Sequence, residues 1–449
     1  MKRIRIGCGS AAASDPVDGA VDVLEAGDVD YLCFDTMAEI TIPWQQLARM
    51  RDPGAGYDLM LEERMRAVLP LAASRHIPVL GNFGALNPTA GARLVLKIAT
   101  EMGLHGLRVA CIEGDDVLGA LDRDARVTDR ETTIAGLPGT LLSANAYIGA
   151  EAVVECLAAG ADVVVGGRVA DASLYLAPMI HEFGWAFDDW DRLGAGVALG
   201  HLAECGTFAT GGAWCDPGYR TNVQGLGRIG RPIIEVDDEL GAVMTKPPGT
   251  GGVVHVDNFR AQLMHEINDP QRYLSPDTVA DFTTLLLSQE TDHRVRVSWT
   301  GQPRGRQRPD NLKVVVGTHE GYIGEAMLLA TGDNATEKAQ LIAEVARERF
   351  FDVLHLPLLD YRYDLIGLDT TVPELPSQAR PSEVMVRIAG LAADEAVATQ
   401  VARFADYISM SGPLGIGARR KDVRPCFGVF ASLIPREAVK LNVTVEEVR

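Results

Sequence analysis

Residues 141–173, LLSANAYIGAEAVVECLAAGADVVVGGRVADAS, set Asn145, Tyr147, Arg168, Asp171 and Ser173 in two short polar stretches, each directly after an apolar run of strand length. An arginine behind Gly166 and Gly167 can grip a carboxylate or phosphate through two parallel N–H bonds. Its structural alternative is an ion pair with Asp171, which can equally cap the following helix. Tyr147, in a glycine-flanked loop, can donate a proton or hold a substrate oxygen, or simply pack its ring over a cleft. Three further apolar runs end in residues of the same kind: Asp35 and Glu39 in DTMAE, Asn82 and Asn87 in GNFGALNP, and Glu113 and Asp115. Carboxylates converging on one edge act as acid and base when their surroundings push their pKa values apart, or they hold a hard divalent cation. Spacing does not separate these chemistries. Asp115, in the polar run GDDVLGALDRD, reads as an exposed residue.

Two other segments carry weaker signals. His201 and Glu204 can share a helical face with Cys205 beside them, but zinc requires at least three protein ligands and no matched second pair is present, so a lone core or surface histidine is the expectation. TKPPGTGG at 245–252 is not a Walker loop, because Val253 follows Gly252 where lysine and a hydroxyl residue are required. Its amides could still cradle a carboxylate or diphosphate, with Lys246, Gly249, Thr250 and Gly251 as the binding residues, or it is a structural turn. No GxSxG elbow surrounds Ser143 or Ser173. The candidate set is therefore catalytic Asp35, Glu39 and Tyr147, with Asn82, Asn87, Asn145, Arg168, Asp171, Ser173, Lys246, Gly249, Thr250 and Gly251 for substrate. No metal ligands and no cofactor are assigned, a divalent metal being the one addition left open.

The elements that must position these residues alternate between strand and helix. Apolar runs predict strands near 3–7, 31–35, 78–82, 107–111, 139–143 and 162–166, with helices near 17–26, 57–75, 88–102 and 149–159. Such alternation predicts an α/β fold with a mainly parallel sheet and helices on both faces, doubly wound, whose ligands sit outside the carboxyl ends of the strands. After 173 the alternation lapses into glycine-rich segments. Strands with helices at 336–349 and 394–407 then predict a smaller C-terminal α+β region. The expected division is an α/β substrate-binding and catalytic domain over 1–290 and an α+β domain over 291–449, with a proline-rich linker near 368–382.

Composition excludes several classes. The chain has 449 residues, 47% of them hydrophobic, with a formal charge of −19, which gives no basic footprint for nucleic acid. No apolar run approaches the ~20 residues of a membrane helix, and no leader precedes the first strand, so a cytoplasmic location is expected. Seven cysteines without zinc-type pairing read as reduced thiols.

The segments GNFGALNP (81–88), ANAYIGAE (144–151), GGRVADAS (166–173), HEFGW (181–185), HLAECG (201–206), TKPPGTGG (245–252) and GYIGE (321–325) together resemble the bacterial acyclic terpene utilisation family, AtuA, in order and spacing over nearly the whole chain. The opening GCGSAAAS departs from the family's glycine- and aromatic-rich start. The resemblance implies catabolism of branched or terpenoid acids processed as CoA thioesters, and a small ferredoxin-fold domain or subunit as a companion.

Residues and resemblance together lead us to expect a lyase or hydro-lyase acting by acid–base addition or elimination on a small carboxylate or CoA thioester. In that expectation Arg168 anchors the carboxylate, Asp35 or Glu39 is the base, Tyr147 assists as acid, and Asn82 and Asn145 orient oxygens. A homo-oligomer is expected. A metal-assisted hydrolase using Asp35, Glu39 and Glu113, or a non-catalytic partner subunit of a carboxylase-type assembly, are the alternatives.

Overall fold

The computed structural model describes residues 2–212, 214–220, 223–368, 370 and 380–449. The fold is mixed α/β. Contacts divide the chain into two compact units, one formed by residues 1–135, 142–316 and 429–449, the other by 136–141 and 317–428. The expected boundary at 290 falls inside the strand Leu285–Thr291, and most of the expected linker, 369 and 371–379, lies outside the described residues.

In the first unit, the strands β1 (Arg3–Ser10), β2 (Tyr31–Phe34), β3 (Val79–Gly81), β4 (Arg108–Glu113) and β6 (Val163–Gly166) run parallel in the order β1-β2-β3-β6-β4. The sheet is mixed rather than mainly parallel. Antiparallel β7 (Ile233–Asp237) and β8 (Ala242–Thr245), followed by the hairpin Arg294–Trp299 and Leu285–Thr291, extend it beyond β1, and antiparallel Asn442–Glu447 lies beyond β4. The sequence expectation is also corrected for β5 (Thr140–Ala146). This strand is absent from the large sheet and pairs instead with Asn311–Thr331. Its apolar run looks like its neighbours' in sequence, but its partner lies some 170 residues downstream, beyond any local pattern.

Side-chain alternation builds two cores, one on each face of the parallel strands. Leu32, Phe34, Val79, Val109, Cys111, Val163 and Val165 pack with α1 (Asp18–Ala26), α3 (Leu61–Arg75) and α4 (Pro88–Glu101). Their sequence neighbours Cys33, Leu80, Ala110, Ile112 and Val164 pack with α5 (Glu151–Ala158), α6 (Asp171–Phe183) and α7 (Trp190–Glu204). With apolar side chains on both faces, these strands read as continuous apolar runs. α7 is buried from Leu193 to Glu204, and Gly194 and Gly200 let it approach the backbone of Arg304 and Ala172, where a Cβ would collide. All seven cysteines are free.

In the second unit, Asp360–Ile366, Glu383–Ala392 and Tyr322–Thr331 pair antiparallel, and helices Ala335–Arg347, Glu395–Ala402 and Phe404–Ser411 contribute to one apolar core with them. Among the described residues, no helix is long and apolar enough to cross a membrane.

Candidate functional site

Because β2, β3, β6 and β4 are parallel neighbours, their carboxyl ends deliver Asp35, Asn82, Arg168 and Asp115 to one edge, and hydrogen bonds join these residues pairwise. Asn82 Nδ2 donates to Asp35 Oδ1 at 2.7 Å, while its Oδ1 accepts from the Thr36 amide at 2.7 Å. The Arg168 amide and Asn145 Nδ2 each donate to Asp115 Oδ2 at 2.9 Å. Asp115 is buried, contrary to its exposed appearance in the sequence, and Gly167 is required beside it: a Cβ there would lie 2.1 Å from Asp115 Oδ1. Burial pushes the Asp115 carboxyl up to about 6, although the bonds from Arg168 and Asn145 oppose the shift.

The loop after β5 is fastened to this edge by backbone bonds, Tyr147 N to Lys313 O at 2.8 Å, Ile148 N to Arg168 O at 3.0 Å and Ala170 N to Ile148 O at 2.9 Å. Tyr147 thereby reaches Arg168. The guanidinium is 1% exposed; Nη1 donates to Asp171 Oδ1 at 2.8 Å, and Nη2 to the Tyr147 hydroxyl at 2.6 Å. Tyr147 in turn donates to Glu39 Oε1, which also meets Lys313 Nζ at 3.1 Å.

Charge is sorted sharply along this chain of groups. Burial opposes ionisation of Glu39, but Arg168, the Tyr147 hydroxyl and Lys313 outweigh it and hold the carboxyl down at about 2. Asp35 goes the other way: burial and the neighbouring charge of Asp171 hold it well above the usual carboxylate range, against Arg168 and the bond from Asn82. Burial likewise raises Tyr147, so its phenol keeps its proton. Despite burial, the negative charges of Asp171 and Glu39 keep Arg168 protonated.

Glu39, Tyr147, Asp171 and Ser173 line a cavity of about 660 Å³, together with His201, Glu204, Tyr273 and Lys313. The Ser173 hydroxyl and several other expected residues are engaged elsewhere. Ser173 Oγ donates to buried Asp277 Oδ2 at 2.5 Å, and Asp277 Oδ1 accepts from the Ala150 amide at the start of α5. Asn87 caps α4, accepting from Ala90 N at 3.3 Å and donating to the carbonyls of Pro53 and Ala55. Lys246 Nζ is folded back on Thr250 O at 2.6 Å, Gly251 N is spent on Arg228 O and Gly252 N on Gln224 O. Lys246, Gly249, Thr250 and Gly251 are not among the cavity-lining residues. Asp35, Glu39 and Glu113 are not grouped as metal ligands; Glu113 accepts from Thr89, and among the described residues no cluster of three or more His, Cys, Asp or Glu could hold a metal ion.

The model of the acyclic terpene utilisation family protein AtuA matches residues 4–445. The chain belongs to this family. Comparison with curated proteins and with solved structures finds no match.

Sequence reasoning misses part of the cavity. The failure of a zinc pattern gives His201 and Glu204 no role in the sequence, yet their i,i+3 spacing is itself the signal that they pair with each other. Tyr273 and Lys313 come from segments with no motif; only the pairing of β5 with Asn311–Thr331 brings Lys313 to Tyr147.

Proposed function

We propose that this AtuA family member is an enzyme that performs acid–base addition or elimination, hydration, dehydration or carbon–carbon lysis, on a branched or terpenoid-like carboxylic acid or its CoA thioester. One observation carries the reading. A single cavity is lined by two carboxyl groups driven in opposite directions, Glu39 down to about 2 by Arg168, Tyr147 and Lys313, and Glu204 upward by burial. Titratable groups pushed apart in one site are how a protein keeps an acid and a base together at one pH.

In this reading the proton-bearing groups are Tyr147 and the His201–Glu204 pair, whose Nδ1 and Oε1 hold one proton between them, and Lys313, half exposed at the cavity wall, meets the substrate's negative charge. Arg168 already has both terminal nitrogens engaged, so it acts by holding the Tyr147 hydroxyl and Asp171. Glu39, at about 2, is too weak a base to abstract a proton from carbon efficiently and serves to orient Tyr147. The five parallel strands with helices packed on both faces are read as a doubly wound core, the second unit as the α+β region, and the protein as a cytoplasmic homo-oligomer.

The test is thermal stability of the purified protein against branched hydroxy acids, their CoA thioesters and divalent metals, with and without chelator. A ligand at a hundred times its dissociation constant adds ~2.7 kcal/mol. A shift with an acid or thioester that survives chelator and shrinks in Lys313→Ala supports the reading. A shift that requires metal, or none with any acid or thioester, rejects it.

A further inference from the structure

His201 and Glu204 stand in the last turn of α7, with His201 Nδ1 2.7 Å from Glu204 Oε1. The imidazole is stacked on the ring of Phe282 and tilted against that of Tyr273, at centroid distances of 5.3 and 5.5 Å, and Gln262 Nε2 donates to the His201 carbonyl at 2.7 Å. The pair is thus fixed in place. Its outer atoms are not fully satisfied: besides Glu204 the imidazole meets only backbone of Gln262 and Leu263, and His201 Nε2 and Glu204 Oε2 are both buried without a well-formed hydrogen bond, while both residues line the 660 Å³ cavity. Buried polar atoms in folded proteins are nearly always paired, so two orphans on one bonded pair call for a group that the cavity admits.

We propose that His201 Nε2 and Glu204 Oε2 form a hydroxyl-binding subsite, which receives an uncharged alcohol group of the ligand. The proposal rests on the cavity being the ligand site of the function proposed above. A hydroxyl is the one simple group that donates one bond and accepts another. Its hydrogen meets the carboxylate oxygen and its oxygen meets the imidazole N–H; with Nε2 unprotonated, the same hydroxyl donates to either atom. A carboxylate does not suit this place, because Glu204, Asp171 and Glu266 line the same cavity and would repel it. Lys313 is the one lysine or arginine among the lining residues, so an anionic end of the ligand belongs with Lys313 and the hydroxyl with His201.

The test crosses the two features in four probes that share one carbon skeleton: 3-hydroxy-3-methylbutanoate, 3-methylbutanoate, 3-methylbutane-1,3-diol and 3-methylbutan-1-ol, with 3-amino-3-methylbutan-1-ol as a fifth. Dissociation constants are measured for the wild type, His201→Phe and Glu204→Gln. Each hydroxylated probe is expected to bind at least about tenfold more tightly than its deoxy partner, one net hydrogen bond to a charged group, and to lose that preference in both variants. The wild-type comparison decides even where a variant does not fold. Equal binding of the acids with and without hydroxyl overturns the subsite and leaves the carboxylic-acid reading standing. A diol that outbinds the alcohol, with neither acid bound, supports the subsite and removes that reading. Tighter binding of the amine than of the diol, or binding of neither hydroxylated probe, overturns the subsite.

Discussion

Arg168 Nη2 donates to the Tyr147 hydroxyl at 2.6 Å, while Nη1 of the same buried guanidinium donates to Asp171 at 2.8 Å. Arg168 therefore joins the end of β6 to the loop after β5 and to the start of α6. Replacing it leaves a buried phenol and a carboxylate without their partner. Arg168→Met is expected to destabilise the protein by about 2–3 kcal/mol, below the usual cost of breaking a buried pair because Asp171 retains contact with water. Urea unfolding of the variant checks this. An unchanged midpoint would show that Arg168 is held by contacts other than these.

Tyr147 is the next link. Removing its hydroxyl takes a donor from Glu39 and an acceptor from Arg168, at about 1–2 kcal/mol. The depressed Glu39 pKa contributes stability that is present above its ordinary value of 4.5 and lost as pH falls toward 2. Because Glu39 is 37% exposed, we discount that contribution to about 1 kcal/mol. In Tyr147→Phe the Glu39 titration midpoint, followed by carboxyl carbon NMR, should move up toward 4.5, and the acid limb of the stability profile should flatten. A midpoint that stays near 2 would assign the depression to Arg168 and Lys313 alone.

How much of this was legible beforehand varies by residue, for physical reasons. Asp35, Asn82 and Arg168 could be found because each follows a short apolar strand, and parallel strands put their carboxyl ends on one edge. The six apolar runs did become strands, but pairing is not written in the runs themselves. β5 and β6 both begin as apolar runs, and yet β5 joins a strand some 170 residues downstream instead of the large sheet. Asp115 was misjudged because its polar neighbours suggest exposure, whereas the amide of Arg168, brought alongside by the β4–β6 pairing, buries it. Glycine density in 245–252 suggested an anion nest. The amides of Gly251 and Gly252 instead meet the carbonyls of Arg228 and Gln224, contacts that only the tertiary fold creates.

Asp115 gives a pH dependence of opposite sign to that of Glu39. Its folded pKa is raised from 3.8 to about 6, so the stability linked to its protonated form is complete below 3.8 and is lost as pH rises through about 6. Asp115→Asn keeps an oxygen for the Arg168 and Asn145 donors without the buried charge. The difference between variant and wild type should therefore move in favour of the variant by about 2 kcal/mol between pH 4 and pH 7. Guanidinium unfolding at a series of pH values measures it, and a difference that is flat across that range would rule the assignment out.

Gly167 and Gly249 predict contrasting outcomes for the same substitution. At Gly167 a Cβ would lie 2.1 Å from Asp115 Oδ1 and 2.5 Å from its Cγ, and Asp115 cannot retreat without breaking the bonds from Arg168 N and Asn145 Nδ2. Gly167→Ala is expected to cost about 1–3 kcal/mol through this collision. It should also displace Arg168 and hence Tyr147, so that ligand binding in the cavity falls with stability. At Gly249 nothing lies within 4 Å of the added carbon, and the only penalty is the left-handed backbone at φ +77°, about 1–2 kcal/mol. Its loop takes no part in lining the cavity, so Gly249→Ala should lower the melting temperature slightly and leave ligand affinity as it was. Affinity lost in Gly249→Ala but kept in Gly167→Ala would move the binding site from the strand ends to the 245–252 loop.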